Sequence, residues 1–135
     1  MFLLDTNVIS ALRRADRNPA VAAWSKIQEP LQVFLSVITV TELQRGVDRL
    51  EGTDPRQAQI LARWLETVLE AFGDRILPLT VKSARRWATL SVKIGNRSLD
   101  LAIAATALEH GLIVATRNVA HFKPTGVATI DPFAA

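Results

Sequence analysis

Five short runs of apolar and β-branched residues limit what this chain can fold into: Phe2–Leu4, Val33–Ile38, Ile76–Leu79, Leu112–Thr116 and Val127–Ile130. Such runs belong to strands covered on both faces. The intervals between them carry a helical period instead. The clearest is Ile60, Leu61, Trp64, Leu65, Val68, Leu69 and Phe72, which keep to one helical face, with Pro55 suited to the first turn and Gly73 to the end. Further helices are expected over Val8–Arg14, Pro19–Gln28, Val40–Leu50, Val81–Ile94 and Leu99–His110, the last closed by Gly111. Strands joined by helical crossovers are normally parallel neighbours. The expected fold is therefore α/β, a three-layer α/β/α domain around a central, mostly parallel five-stranded sheet.

At 135 residues this arrangement amounts to a single domain over 1–135, with Glu51–Pro55 a loop rather than a boundary. With no cysteine there is no thiolate site, so any metal must be held by oxygen or by the two histidines. No apolar stretch approaches the roughly 18 to 20 residues of a membrane span, and no basic segment precedes the first apolar run. A cytoplasmic chain with no membrane partner is expected. The formal charge of +3 permits a polyanionic partner without requiring one.

Ligands of open α/β sheets gather beyond the carboxyl ends of the strands. Asp5 directly follows the first apolar run, Glu42 lies four residues past the second, and Asn118 lies just past the fourth. Asp100 opens the Ala-rich helix that feeds the fourth strand. Each residue also has a purely structural explanation. Asp5 could cap a helix, Thr39-x-x-Glu42 reads as a capping box, Asp100 suits a first turn, and Asn118 is a turn former. Four such residues at one sheet edge is the less ordinary fact. If the three acids converge, two carboxylates about 4 Å apart repel by roughly 4 kcal/mol at an effective dielectric near 20. Protonation would relieve that, as would a hard divalent cation, and oxygen ligands favour Mg²⁺ or Mn²⁺ over zinc.

The segments Leu3-Leu4-Asp5-Thr6-Asn7-Val8-Ile9-Ser10, Ser36-x-Ile38-Thr39-x-x-Glu42-Leu43-x-x-Gly46, and Asp100-x-x-Ile103-Ala104-Ala105-Thr106-Ala107 followed by Thr116-Arg117-Asn118 resemble the PIN-domain family. Within it they are most similar to the VapC-like and FitB-like toxins of bacterial toxin–antitoxin pairs. The resemblance runs essentially end to end and rests on three spaced motifs in order. It implies a ribonuclease that uses Mg²⁺ or Mn²⁺ to hydrolyse RNA phosphodiester bonds, is neutralised by a cognate antitoxin, and commonly forms a homodimer. Position by position, Asp5, Glu42 and Asp100 fall on the family's acidic, metal-binding triad, and Thr6 and Asn7 on the polar pair beside the first acid. The Asn118 position departs from the pattern, because many members carry a fourth acid there. An amide can still position water but brings no charge, which bears on a second metal site.

Beside these, Arg117 adjoins the expected crevice and could meet a phosphate bidentately, while Arg13, Arg14, Arg45, Arg49, Arg85, Arg86 and Arg97 are further cations for a polyanion or for a solvated surface. Trp24, Trp64 and Trp87 read as packing residues rather than base-stacking platforms. His110 suits a last helical turn and His121 a loop. Two other readings stay open: a non-catalytic RNA- or protein-binding module with a weakened metal site, and a phosphatase or DNA nuclease built on a similar acidic cluster.

Overall fold

Alternation along three-residue strands assigns the two faces of the sheet. The computed structural model describes residues 1–134. In β1 (Phe2–Leu4) the fully buried Leu3 faces one core and Leu4 the other. The same switch separates Phe34 from Leu35 in β2 (Val33–Ser36) and Val114 from Ala115 in β4 (Ile113–Ala115), as period-two geometry requires. With β3 (Ile76–Leu77) and β5 (Thr129–Ile130) these strands form one sheet in the order β3-β2-β1-β4-β5. Every pairing is parallel.

One face carries α1 (Thr6–Leu12), α2 (Pro19–Lys26), α3 (Val37–Glu51) and α4 (Pro55–Phe72), with Val8, Val21, Leu43, Val47, Leu65 and Val68 in its core. Trp24 belongs to this core and meets Phe2 edge to face. The stripe on α4 packs inward, with Ile60, 45% exposed, the exception. The other face is filled by α6 (Leu99–His110), whose Leu101–Ala107 segment is buried throughout. A helix apolar on all sides has to be enclosed. Alanines let α6 lie between the sheet and the outer helix α5 (Val81–Ile94), where Trp87 is half-buried. Gly111 stops α6 in the left-handed conformation, φ 65°, and turns the chain into β4.

The expected architecture is the observed one, but several boundaries differ. The second strand stops at Ser36, not Ile38, because the Ser36 hydroxyl accepts the Ile38 N–H at 3.0 Å and starts α3 at Val37. The β-branched run Val37–Val40 favours a strand by propensity, yet the cap and the burial of Ile38 and Thr39 override it. Thr39 is therefore inside the helix and caps nothing. The first helix likewise begins at Thr6 rather than Val8, directly after Asp5. A four-residue helix α7 (Val119–Phe122), too short for periodicity to reveal, plugs the fully buried Phe122 under the end of α6. Arg75, in the turn before β3, ties that edge down by donating to the carbonyls of Pro30, Val33 and Ala71 at 2.6, 2.7 and 2.8 Å.

Candidate active site

The first crossover, from β1, leads to β2 on one side, while β4 returns on the other, so the carboxyl ends of β1 and β4 diverge into a crevice. Asp5 and Thr116 are the residues just past those ends. The Asp5 N–H donates to the Ala115 carbonyl at 2.9 Å, which extends the ladder by one residue and fixes the carboxylate at the mouth. Asp5 is 4% exposed. One carboxylate oxygen accepts the Thr6 N–H at 2.8 Å, and the other accepts the Thr116 hydroxyl at 2.8 Å and the Asn7 amide at 3.3 Å. All three donors are neutral.

Burial without a cationic partner pushes the Asp5 carboxyl up to about 6. The Thr116 and Thr6 hydrogen bonds restrain that rise, while the negative charges of Asp100 and Glu42 add to it. Asp5 thus feels both other acids across the crevice. Glu42, half-buried in α3, accepts the Thr6 hydroxyl at 2.8 Å. This replaces the capping-box role that its spacing from Thr39 suggests, since Thr39 instead lies 3.2 Å from the Thr6 hydroxyl. Asp100 opens α6 behind the Ser98 cap, and its carboxylate lies 3.3 Å from Nδ1 of His121, the imidazole of α7.

Thr6 and Asn7 are both engaged with the acids. The Asn7 side chain also accepts the Arg117 N–H at 3.2 Å, so it bridges the ends of β1 and β4. Arg117 is exposed, with its guanidinium 3.8 Å over the Phe133 ring. Asn118 is exposed; its N–H donates to the Thr116 hydroxyl at 2.9 Å, and its side chain has no hydrogen-bond partner among the described residues. Sequence reasoning missed Thr116 and Thr39, both fully buried. A hydroxyl placed directly after a doubly covered strand was the only available signal, and it does not name the carboxylate it serves.

Thr116→Val tests that link. Loss of the hydroxyl donor removes one of the two hydrogen bonds that hold the Asp5 titration down, so its midpoint should rise above about 6. A melting temperature whose pH dependence moves upward relative to that of the unsubstituted chain is expected. A pH profile identical to that of the unsubstituted chain would refute the link.

The openings around the crevice are separate concavities. One of about 270 Å³ reaches Thr6, Arg13 and Glu42; one of about 320 Å³ reaches Asp100 and His121; and one of about 360 Å³ reaches Asn7 and Arg117. A larger one of about 950 Å³ lies along α5 and touches none of the acids. Its lining offers the cations Lys82, Arg85, Arg86 and Lys93 but no carboxylate or imidazole to hold an ion or move a proton, so size is a poorer guide here than the donors. Among the described residues no three acidic or histidine side chains stand close enough to enclose an ion by themselves. The oxygen-only donors and the raised Asp5 carboxyl nonetheless suit a hard divalent ion that keeps part of its water.

The model of the PIN domain matches residues 2–125. The chain is 38% identical to the VapC ribonuclease Y4jK of Sinorhizobium fredii, the match covering 98% of each chain. It is 37% identical to the toxin FitB of Neisseria gonorrhoeae over 98% of this chain and 99% of that one. Among solved structures, FitAcB from Neisseria gonorrhoeae superposes with a TM-score of 0.89 at 38% identity, covering all of both chains. Among the described residues no helix is long and apolar enough to cross a membrane.

Proposed function

Because this chain belongs to the PIN-domain family, we propose that it is an endoribonuclease toxin, dependent on Mg²⁺ or Mn²⁺ and neutralised by a cognate antitoxin chain. The observation that carries this reading is the Asp5 carboxylate: buried, hydrogen-bonded only by neutral groups, and burdened by the charges of Glu42 and Asp100. Asp5 also caps α1 through the Thr6 N–H, a task that a neutral residue could do, whereas a carboxylate crowded by two further acids is eased by a cation. Likeness over nearly the whole chain to a VapC ribonuclease and to toxin FitB supports the substrate and the toxin role.

In this reading Asp5, Glu42 and Asp100 would hold the ion together with water. When bound, the ion supplies an acidified water and positive charge against the phosphate. The chain's own residues do the rest. Thr116 and Asn7 fix the Asp5 carboxylate, and Thr6 aims Glu42 toward the crevice. Glu42 orients the attacking water and takes its proton. Water adds to phosphorus, one phosphorus–oxygen bond breaks, and a phosphomonoester and an alcohol leave. Asn118 and Arg117 lie on the substrate side, where an amide can hold water and a guanidinium can meet the substrate at a phosphate or at a base. A homodimer in the cytoplasm, held inactive by the antitoxin across this face, is the physiological state we infer.

The test is one panel under one metal condition. Purified chain with Mn²⁺ is expected to cleave single-stranded or structured RNA, to spare DNA and a phosphomonoester, and to stop when the antitoxin is added. Cleavage of DNA or release of phosphate from the monoester in preference to RNA would overturn it.

A further inference from the structure

Four arginines share one concavity beside the acids, and nothing in the fold explains why. Arg13 ends α1, Arg14 follows it, Arg17 closes the next 3₁₀ turn, and Arg117 comes over from the end of β4; together with Asn7 and Phe133 they line a hollow of about 360 Å³. That volume lies within the range of about 300 to 1,000 Å³ usual for small-ligand sites. No acid lines it. No lysine or arginine among the described residues makes an ion pair, so what sets these four apart is their convergence beside the acids. Like charges brought together repel, and a bound anion would relieve that.

Two features say which anion. The hollow adjoins the acidic crevice, because Asn7 donates to the Asp5 carboxylate while lining it, and Arg13 also lines the neighbouring concavity that contains Glu42. An occupant of the hollow therefore lies next to the acids. Arg117 is stacked 3.8 Å over the Phe133 ring on one side and exposed on the other. A guanidinium plane braced in that way presents its free face to a planar group, as arginine does to unpaired bases.

We propose that this hollow is the subsite for the nucleotide next to the cleaved bond of a single-stranded RNA: Arg13, Arg14 and Arg17 hold its phosphate and Arg117, braced by Phe133, stacks its base. The proposal rests on the ribonuclease reading for its substrate, but it is read by binding rather than by cleavage. A labelled single-stranded RNA oligonucleotide is titrated with the full chain in EDTA, across a salt series, and followed by fluorescence anisotropy. Arg14→Ala/Arg17→Ala should bind about 10- to 30-fold more weakly, with the slope of log affinity against log salt reduced by about 0.7, the worth of the one single-strand phosphate they share. Arg117→Ala should weaken binding by about tenfold with a smaller change in slope, and should erase the preference for single strands over duplex. Arg85→Ala/Arg86→Ala on α5 should bind within about twofold of the unsubstituted chain. Arg14 and Arg17 are exposed, and a Gln pair at the same positions repeats the measurement if the Ala pair melts early. An unchanged affinity and slope in Arg14→Ala/Arg17→Ala would overturn the subsite, as would an equal loss in the α5 pair or no binding by the unsubstituted chain. Normal RNA binding with the expected slopes but no cleavage in Mn²⁺ would leave the subsite standing and remove the nuclease reading instead.

Discussion

An Asp5→Asn chain is expected to lose metal-supported RNA cleavage by about 10³-fold or more and, at pH 8, to melt several degrees higher than the unsubstituted chain. The two effects have one cause. The folded carboxyl titrates at about 6, against about 3.9 in an unfolded chain, because the fold disfavours its charge. A raised folded value means that this group's contribution to stability is complete below about pH 3.9 and is lost as pH rises through about 6. About two units at roughly 1.4 kcal/mol each set a ceiling near 3 kcal/mol at pH 8. Asparagine removes the charge but brings only one acceptor oxygen where the carboxylate served Thr6, Thr116 and Asn7. The orphaned donor offsets part of the gain, leaving about 1 to 2 kcal/mol, or roughly 3 to 8 °C.

Scanning calorimetry of both chains in EDTA from pH 4 to 8 measures this directly. Their melting temperatures should differ little at pH 4, diverge as pH rises from there to about 6, and stay apart by a constant amount above it. Parallel curves would mean that Asp5 is not strained by its surroundings. Cleavage by Asp5→Asn at the unsubstituted rate would remove it from the active site.

The layered fold was legible because a doubly covered strand and an enclosed helix leave compositional marks that do not depend on the rest of the chain. Leu3 and Leu4 face opposite cores, and the Ala-rich α6 has no polar side to expose. The start of α3 was not legible, since a β-branched run reads as strand until the Ser36 cap and the burial of Thr39 are known. Asp5 stood out for a similar reason, a carboxylate ending an apolar run being conspicuous locally, whereas Glu42 and Asp100 lie on helices and were singled out by their nearness to strand ends and by the family resemblance. What orients the acids was not legible. Thr116 meets Asp5 across 111 positions and Thr6 meets Glu42 across 36, and no spacing rule connects such pairs. The Arg117–Phe133 stack was hidden for the same reason, the ring lying in a C-terminal turn with no pattern of its own.

Removing divalent ions should abolish cleavage by about 10³-fold or more, and restoring Mn²⁺ should raise the melting temperature by an amount that depends on pH. An ion bound only by the folded chain stabilises it by about 1.4 kcal/mol at ten times its dissociation constant. Because Asp5 must be ionised to hold the ion, protons compete with it below about pH 6. Each unit of pH below that midpoint should weaken apparent Mn²⁺ affinity about tenfold, so a melting shift present at pH 7.5 should nearly vanish at pH 5. Asp5→Asn should show little shift at either pH, since its metal site is lost while its fold is not. The non-catalytic alternative predicts the reverse set: RNA bound, melting indifferent to Mn²⁺ at every pH, and no cleavage. A Mn²⁺ shift equal in size at pH 5 and pH 7.5 would place the ion on groups other than Asp5, and with it the centre of the chemistry.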